Sequence, residues 1–364
     1  MKLSEVIAVF ETVAPPAYQE PYDNAGLVTG NGDLEVTAAL LCIDVTEDII
    51  SEAMRMGANL IISHHPVLFH SLKSITGKTQ TERILITALS HNIALYSVHT
   101  NLDNIYGGVN QKICQKLDLQ HLKILAPLPD GLRKLVTYVP LAHASGVRQA
   151  LFDAGAGNIG AYDSCSFSSE GRGSFRAPEG TNPFTGEIGK LHYEEETRIE
   201  TVFPAILKSR IVAALLKAHP YEEVAYDIFP LDNSYDRAGS GMIGELREPL
   251  EIMDFLNRVK ETFGCRVLRY SPLVRNTIRK VAVCGGSGSF LIPKAIAAGA
   301  DVFITGEVKY HQFFDAEKHL VIVDTGHYES ERFTIEIFYE ILIKNLPNFA
   351  VHFSSINTSP INYL

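Results

Sequence analysis

Short, largely apolar runs recur in the first and last thirds of the chain. They lie at 38–43, 60–62, 93–98, 281–283, 302–304 and 320–323. Between the first two runs, Ile49, Ile50 and Ala53 have the spacing of one helical face, and Gly57 follows where a helix would end. Apolar strands that alternate with amphipathic helices predict parallel sheets covered on both faces, so the expected class is α/β.

The two apolar stretches resemble each other. At a constant offset of 242 residues (284 minus 42), without gaps, matching positions carry the same residue: Cys42 and Cys284, Ala53 and Ala295, Gly57 and Gly299, Ala58 and Ala300, and Ile62 and Ile304. Each copy is predicted to form a strand, a helix and a strand, followed by one more strand. Duplication predicts two related α/β halves packed as a pseudo-twofold pair. Chance similarity between simple βαβ units is the alternative.

The middle of the chain has a different pattern. It predicts strands at 134–139, 158–162, 198–203 and 224–229, with helices at 144–154 and 205–218. Glycines and prolines between 171 and 186 predict turns, and the acidic run at 194–196 predicts a solvated surface. The β-α-β-β-α-β order is ferredoxin-like. We therefore predict the first half of an α/β core at 1–130, an inserted ferredoxin-like α+β domain at 131–240 and the second half of the core at 241–364.

Composition narrows the class of protein. Hydrophobic residues make up 46% of the 364 residues and charged residues 20%, which is typical of globular proteins. The net charge of −10 gives no general attraction to nucleic acid, so we expect no such partner. Five scattered cysteines without a CxxC pair indicate reduced thiols. Since no signal-peptide pattern and no membrane-spanning apolar stretch are present, we expect a cytoplasmic protein with no membrane partner.

Imidazole and carboxylate side chains follow the predicted strands where each strand ends. They are His64 and His65 after the strand at 60–62, His99 and Asp103 after 93–98, Glu307 and His311 after 302–304, and His327 and Glu331 after 320–323. Ligand sites of parallel sheets lie beyond the carboxyl ends of the strands, so these side chains should converge. A lone buried histidine is usually structural, and the remaining histidines are placed in that class.

Five of these side chains form the predicted metal site: His64, His65, Asp103, His327 and Glu331. Pro66 lets the chain turn, so both neighbouring histidines can face one pocket. His327 and Glu331 share a helical face if a helix begins near Gly326. Imidazole with carboxylate suits zinc, with manganese or iron as alternatives, and suits calcium or magnesium poorly. We expect two divalent metal ions at this site, with zinc as the first candidate.

The glycine-rich run at 285–289 has two interpretations. It follows a predicted strand and precedes a predicted helix, so its backbone N–H groups could cradle an anion. A tight turn without a ligand is the alternative, because the run lacks the lysine of a P-loop.

Several segments together resemble a known family. They are PYDNAGL at 21–27, ISHHP at 62–66, VHTNLD at 98–103, TGEVKYH at 305–311 and TGHYESE at 325–331. These motifs resemble the NIF-three-like family, also called GTP cyclohydrolase 1 type 2 homologs, and the likeness covers the whole chain. The inserted segment resembles the PII-like or CutA-like domain of the longer bacterial members.

The resemblance implies a dinuclear metal centre. In it, His64 and His65 bind different ions, Asp103 and His327 complete one ion each, and Glu331 bridges both. It also implies a ring-shaped homohexamer whose metal sites face an internal cavity. The implied activity is metal-dependent hydrolysis of a nucleotide or related small molecule, of the GTP cyclohydrolase type.

The residues themselves do not decide whether the protein is an enzyme, because they reveal no guanine pocket. Candidates for proton transfer or substrate contact are His99, Tyr310, His311 and Glu307. The alternative is a non-enzymatic metal-binding or regulatory ring assembly whose inserted domain senses a ligand.

Overall fold

The first part of the chain builds a sheet around three buried strands. The computed structural model describes residues 1–364. The elements are α1 (Leu3–Val13), β1 (Gly26–Thr29), β2 (Ala38–Cys42), α2 (Glu47–Met56), β3 (Leu60–Ser63), α3 (Gln80–Ser90), β4 (Ala94–Ser97), α4 (Thr100–Asp103), α5 (Val109–Lys116) and β5 (Gln120–Leu128). Thr46 caps α2 by accepting a hydrogen bond from the backbone N–H of Ile49, and Gly57 ends the helix in the left-handed conformation.

The middle of the chain forms a compact unit of its own, Leu128–Tyr235. Its elements are β6 (Leu132–Pro140), α6 (Ala144–Asp153), β7 (Ser166–Arg176), β8 (Leu191–Pro204), α7 (Lys208–Ala218) and β9 (Tyr226–Leu231). The sheet has the order β7-β8-β6-β9, and every pair is antiparallel. Apolar side chains of α6 and α7 pack on one face of this sheet and form its core.

Three predictions in this unit are wrong in whole or in part. The segment 158–162 contains only an isolated bridge between Ile159 and Tyr162, and the second strand is β7, which lies partly in the segment predicted to form turns. The glycines of β7 conceal the strand pattern. Gly173 leaves room for the Glu196 carboxylate of the neighbouring strand, because an added Cβ would lie 2.8 Å from Cδ of Glu196. Glu196 itself is buried, so the acidic run at 194–196 is not a wholly solvated surface.

The last part of the chain builds most of a second sheet and adds one strand to the first. Its elements are β10 (Tyr235–Glu251), α8 (Ile252–Phe263), β11 (Arg269–Tyr270), β12 (Thr277–Ser287), α9 (Ile292–Ala297), β13 (Val302–Gly306), β14 (Val321–Asp324), α10 (His327–Glu331), α11 (Thr334–Asn345) and β15 (Ala350–Phe353). Together with Met1–Pro127, the residues Asp236–Leu364 form one compact unit. No helix of the chain has both the length and the apolar character needed to cross a membrane.

The two sheets of this unit share an arrangement. The first has the order β1-β4-β3-β2-β15 and the second β11-β14-β13-β12-β10-β5. Each sheet contains three neighbouring parallel strands: β2, β3 and β4 in the first, and β12, β13 and β14 in the second. A short strand pairs antiparallel with the last of the three, β1 with β4 and β11 with β14. The α/β class is thereby confirmed. In each triplet the carboxyl ends of the strands lie at one edge of the sheet, which is where the candidate ligands follow.

Candidate metal centre

Backbone hydrogen bonds hold the two neighbouring histidines beyond the end of β3. The backbone N–H of His64 donates to the carbonyl of Cys42, and that of His65 donates to the carbonyl of Ile43. The His64 ring is fully buried, and its Nδ1 lies 3.0 Å from the carbonyl oxygen of Val98. Because a carbonyl can only accept, Nδ1 carries the hydrogen and Nε2 points its lone pair into the centre.

The remaining ligand candidates come from two one-turn helices. Asp103 ends α4, and α10 begins at His327 and ends at Glu331. A helix does begin beside Gly326, which meets the condition for His327 and Glu331 to share one face, and Gly326 precedes it at a φ of 91°. Gly306, at the end of β13, lets the backbone at the start of α10 lie close to that strand, because an added Cβ on Gly306 would lie 2.9 Å from the backbone of Gly326.

The five side chains form two clusters that share Glu331. In the first, Nε2 of His64 lies 3.7 Å from Oδ1 of Asp103 and 3.6 Å from Oε1 of Glu331. In the second, Nε2 of His65 and Nε2 of His327 each lie 3.0 Å from Oε2 of Glu331 and 3.1 Å from each other. Each carboxylate oxygen of Glu331 thus faces a different group of ligand atoms.

Several polar atoms of the two clusters are buried without a hydrogen-bond partner. They are Nε2 of His64, Oδ1 of Asp103, Nδ1 of His327 and Oε2 of Glu331. The 3.0 Å contacts of Glu331 Oε2 are therefore close charge contacts without hydrogen-bond geometry. An unpaired buried polar atom costs about 1–3 kcal/mol, so such a group is uncommon unless a ligand satisfies it. Imidazole nitrogens and carboxylate oxygens within 4.8 Å of one another could hold a metal ion.

A second layer of carboxylates orients the imidazole rings. Asp44 accepts a hydrogen bond from Nδ1 of His65 at 2.7 Å, and Thr358 donates to the other oxygen of Asp44 at 2.7 Å. Oε2 of Glu307 lies 3.3 Å from Nδ1 of His327, a charge contact that is not a hydrogen bond. A carboxylate that accepts a hydrogen bond, as Asp44 does, fixes the tautomer of a ligating histidine and raises its basicity.

His99 has a similar partner. Its Nδ1 donates to Asp23 at 2.8 Å, and Thr100 also donates to Asp23 through its backbone N–H and its hydroxyl. Burial raises the pKa of Asp23, but the hydrogen bonds from His99 and Thr100 outweigh it and lower the pKa to about 2. The ring of His99 contacts those of His64 and His65, so its free Nε2 faces the same space.

The surroundings shift the pKa values of the five ligand candidates in different directions. Burial lowers the pKa of His64. Burial also disfavours protonated His65 and His327, but contacts with Asp44 and Glu331 raise the pKa of His65 to about 10, and Glu331 raises that of His327 to about 9. Burial and the nearby charge of Glu331 raise the pKa of Asp103 well above its usual value. The surrounding imidazoles outweigh burial at Glu331 and hold its pKa well below its usual value.

The glycine-rich run packs against the centre. Backbone N–H groups of Gly285, Gly286 and Gly288 donate to side-chain oxygens of Asn110, Ser330 and Thr305, all at 2.9 Å. Donors that are already satisfied favour the tight turn over an anion cradle. A Cβ on Gly286 would overlap Oε1 of Glu331, so glycine lets the strand pass beneath the shared carboxylate.

The centre lies in a cavity of about 700 Å³. His99 and Glu307 line it, whereas Tyr310 and His311 do not and are exposed. Aromatic rings of Tyr22, Phe69 and Phe290 also line it, as do residues 358–361 of the C-terminal tail. No lysine or arginine lines the cavity, but six carboxylates do: Glu20, Asp44, Asp103, Glu307, Glu329 and Glu331.

Sequence reasoning missed three contributors. Asp44 follows β2 directly, so the strand-end argument that selected His64 would have found it. Asp23 lies in the loop before the antiparallel strand β1, within the motif at 21–27 that resembles the family, and Thr358 lies in the C-terminal tail. Their contacts with the histidines and with Asp44 depend on long-range packing.

The fold and the centre define a class: an α/β protein whose two related sheets present a buried cluster of imidazole and carboxylate groups. The family model for Duf34/NIF3 (NGG1p interacting factor 3) matches residues 1–360, and the chain belongs to this family. A protein of Halalkalibacterium halodurans named "GTP cyclohydrolase 1 type 2 homolog" is 43% identical over 324 residues, which is 88% of this chain and 87% of that protein. A Staphylococcus aureus protein of the same name is 33% identical over the full length of both chains.

Solved structures show the same fold. The crystal structure of a Bacillus cereus protein related to NIF3 has a TM-score of 0.87 and 39% identity, and the match covers 100% of this chain and 99% of that one. A Staphylococcus aureus structure has a TM-score of 0.80 and 29% identity over the same shares of both chains.

Proposed function

We propose that the centre binds two divalent metal ions, with zinc as the first candidate. His64 and Asp103 would hold one ion, His65 and His327 the other, and Glu331 both. The observation that carries the proposal is the position of Glu331, whose two oxygens each face a separate set of buried ligand atoms. The unpartnered nitrogen of His64 and oxygen of Asp103 support it, because a cation would satisfy both.

We further propose a metal-dependent hydrolase that acts on a nucleotide or related small molecule. Two bound ions would supply Lewis acidity and would activate water at neutral pH. The chain's own groups would orient and exchange protons: Asp44 fixes the His65 ring, and Asp23 holds the Nδ1 hydrogen of His99 so that Nε2 of His99 faces the cavity. The name of the relatives, "GTP cyclohydrolase 1 type 2 homolog", supports a nucleotide substrate.

The cavity lining restricts which part of such a substrate contacts the protein. Tyr22, Phe69 and Phe290 offer apolar ring faces to a planar base. Since six carboxylates and no lysine or arginine line the cavity, a phosphate group would gain its attraction from the bound ions rather than from side chains.

The same lining favours one alternative, a metal-binding or regulatory assembly without catalysis. A cavity rich in carboxylates attracts cations and repels anionic substrates. In either role we propose a homohexameric ring in the cytoplasm. The five unpaired cysteines, four of them buried, support a reducing compartment.

Metal analysis of the purified protein tests the centre. We expect close to two ions per chain in the wild type, about one in Asp103→Asn, and fewer than one in Glu331→Gln. Asp315→Asn is the matched control, because Asp315 lies outside the cavity. Two ions retained in Glu331→Gln would refute the shared carboxylate.

A substrate panel tests the enzyme. The metal-loaded protein is incubated with nucleoside triphosphates, nucleosides, free bases and phosphoesters, and hydrolysis products are followed by chromatography. We expect turnover that is lost in Glu331→Gln and reduced in His99→Gln. Two bound ions with no Glu331-dependent turnover on any compound would favour the non-enzymatic alternative.

A further inference from the structure

The unit Leu128–Tyr235 contains a second cavity, also of about 700 Å³. Its walls are β7, β8, the segment that follows β7 and the segment that precedes β9. The cavity contributes nothing to the metal centre, and the proposed hydrolysis does not use it.

Aromatic rings form one side of this cavity. The ring of Tyr221 contacts those of Phe175 and Phe184, with centroid distances of 6.1 Å and 6.2 Å. Phe184 also contacts His143 and is 53% exposed, so its face is open to a ligand. Rings at these distances already contact each other, so a flat aromatic ligand would pack beside them, against their open faces.

A buried carboxylate forms the other side. Glu196 is 9% exposed and accepts one hydrogen bond, from the Tyr221 hydroxyl to Oε1 at 2.8 Å. Its Oε2 receives no hydrogen bond and faces Gly173, the residue that leaves room for it. A buried carboxylate with one unused oxygen at the wall of a cavity is an acceptor for a charged or N–H donor.

The other charged side chains at this cavity also favour a positively charged ligand. Its two cations are matched by carboxylates outside the lining, because Arg172 contacts Glu195 and Arg198 contacts Glu200. Glu170, Glu222 and Glu223 also line the cavity, so acidic groups outnumber basic ones. A cation is therefore favoured over an anion.

We infer that this unit binds a small planar aromatic cation, a protonated amidine, amine or nitrogen heterocycle. The ring lies against Phe175, Phe184 and Tyr221, and the cationic nitrogen donates to Oε2 of Glu196. The site is independent of the metal centre and of any hydrolysis there.

The test uses the full-length protein and three probes of the same size: benzamidine (cationic), benzamide (neutral) and benzoate (anionic). Binding is measured by saturation-transfer NMR and calorimetry at probe concentrations up to about 10 mM, because fragments of this size bind weakly. We expect benzamidine to bind about tenfold more tightly than benzamide and benzoate not to bind.

Two variants locate the site. Glu196→Gln should weaken benzamidine about tenfold and leave benzamide nearly unchanged, while Glu187→Gln, the same change at an exposed position outside the cavity, should have no effect. Phe184→Ala should weaken both benzamidine and benzamide, and its exposure makes it compatible with folding even if Glu196→Gln is not. Equal affinity for all three probes, no binding of benzamidine, or benzamidine binding unchanged in the variants would overturn the inference.

Discussion

Replacement of Gly286 by alanine should weaken metal binding at the centre without replacing any ligand. Gly286 has a φ of +62°, and an added Cβ would overlap Oε1 of Glu331 and lie 3.2 Å from its Cδ. Gly299 is the matched control. Its φ is +71°, and a Cβ there would meet only Nζ of Lys280 at 4.0 Å.

The two substitutions share one cost and differ in another. An L-residue in the left-handed region costs about 1–2 kcal/mol, and this applies at both positions. Only Gly286→Ala also forces the Glu331 carboxylate to move, by on the order of 1 Å to restore ordinary contact. Disturbing the groups that position metal ligands lowers affinity about 10–100-fold, which is roughly 1.4–2.8 kcal/mol. Because Glu331 faces both clusters, both ions should be affected.

Two measurements separate the backbone cost, which both variants share, from the displacement of Glu331, which only Gly286→Ala causes. Urea denaturation of chelator-treated protein measures the loss of stability, which should be at least as large in Gly286→Ala as in Gly299→Ala, because the overlap with Glu331 is present without metal as well. Competition with a chromophoric zinc chelator measures affinity, which should fall only in Gly286→Ala. If Gly286→Ala binds zinc as tightly as Gly299→Ala, then the overlap with Glu331 is not what the glycine avoids, and the reasoning fails.

Three further predictions concern the groups around the ligands. Asp44→Asn should weaken zinc binding about 10–100-fold in the same competition assay, because Nδ1 of His65 loses its anionic acceptor. Thr358→Val, which removes one donor to Asp44, should cause a smaller loss, about tenfold at most; a larger loss than in Asp44→Asn would contradict this order. Without metal, the raised pKa values of His65 (about 10) and His327 (about 9) contribute stability that is complete below pH 6.5 and lost as pH rises through 9–10. Thermal unfolding should therefore show the chelator-treated protein weakening across that interval while apparent zinc affinity rises, and a flat profile would count against these protonation states.

The parallel strands and most of the centre could be predicted because both depend on local patterns. Buried strands such as β3 and β14 are continuous apolar runs, and the polar residues after them lie at one edge of a sheet by topology alone. His327 and Glu331 needed only helical spacing. The same argument covers Asp44, which follows β2.

Other features depend on contacts between distant parts of the chain. Asp23 is 76 residues from its partner His99, and Thr358 is 314 residues from Asp44. The strand β7 was missed because its glycines and serines lack the usual strand propensity, and its pairing with β8 prevails over that propensity. The burial of Glu196 follows from the same pairing, since Gly173 opposite it provides the space.

The distribution of ligands connects metal binding to the integrity of the core. His64, His65 and Asp103 follow strands of the first sheet, whereas His327 and Glu331 follow the second. Without a cation, the contact between these sets includes unpartnered buried atoms, which destabilise the folded state. A ligand that binds only the folded state stabilises it in proportion to the logarithm of its concentration. Bound ions would therefore join the two halves of the core as well as serve chemistry, so any loss of activity on metal removal must be measured beside the loss of stability.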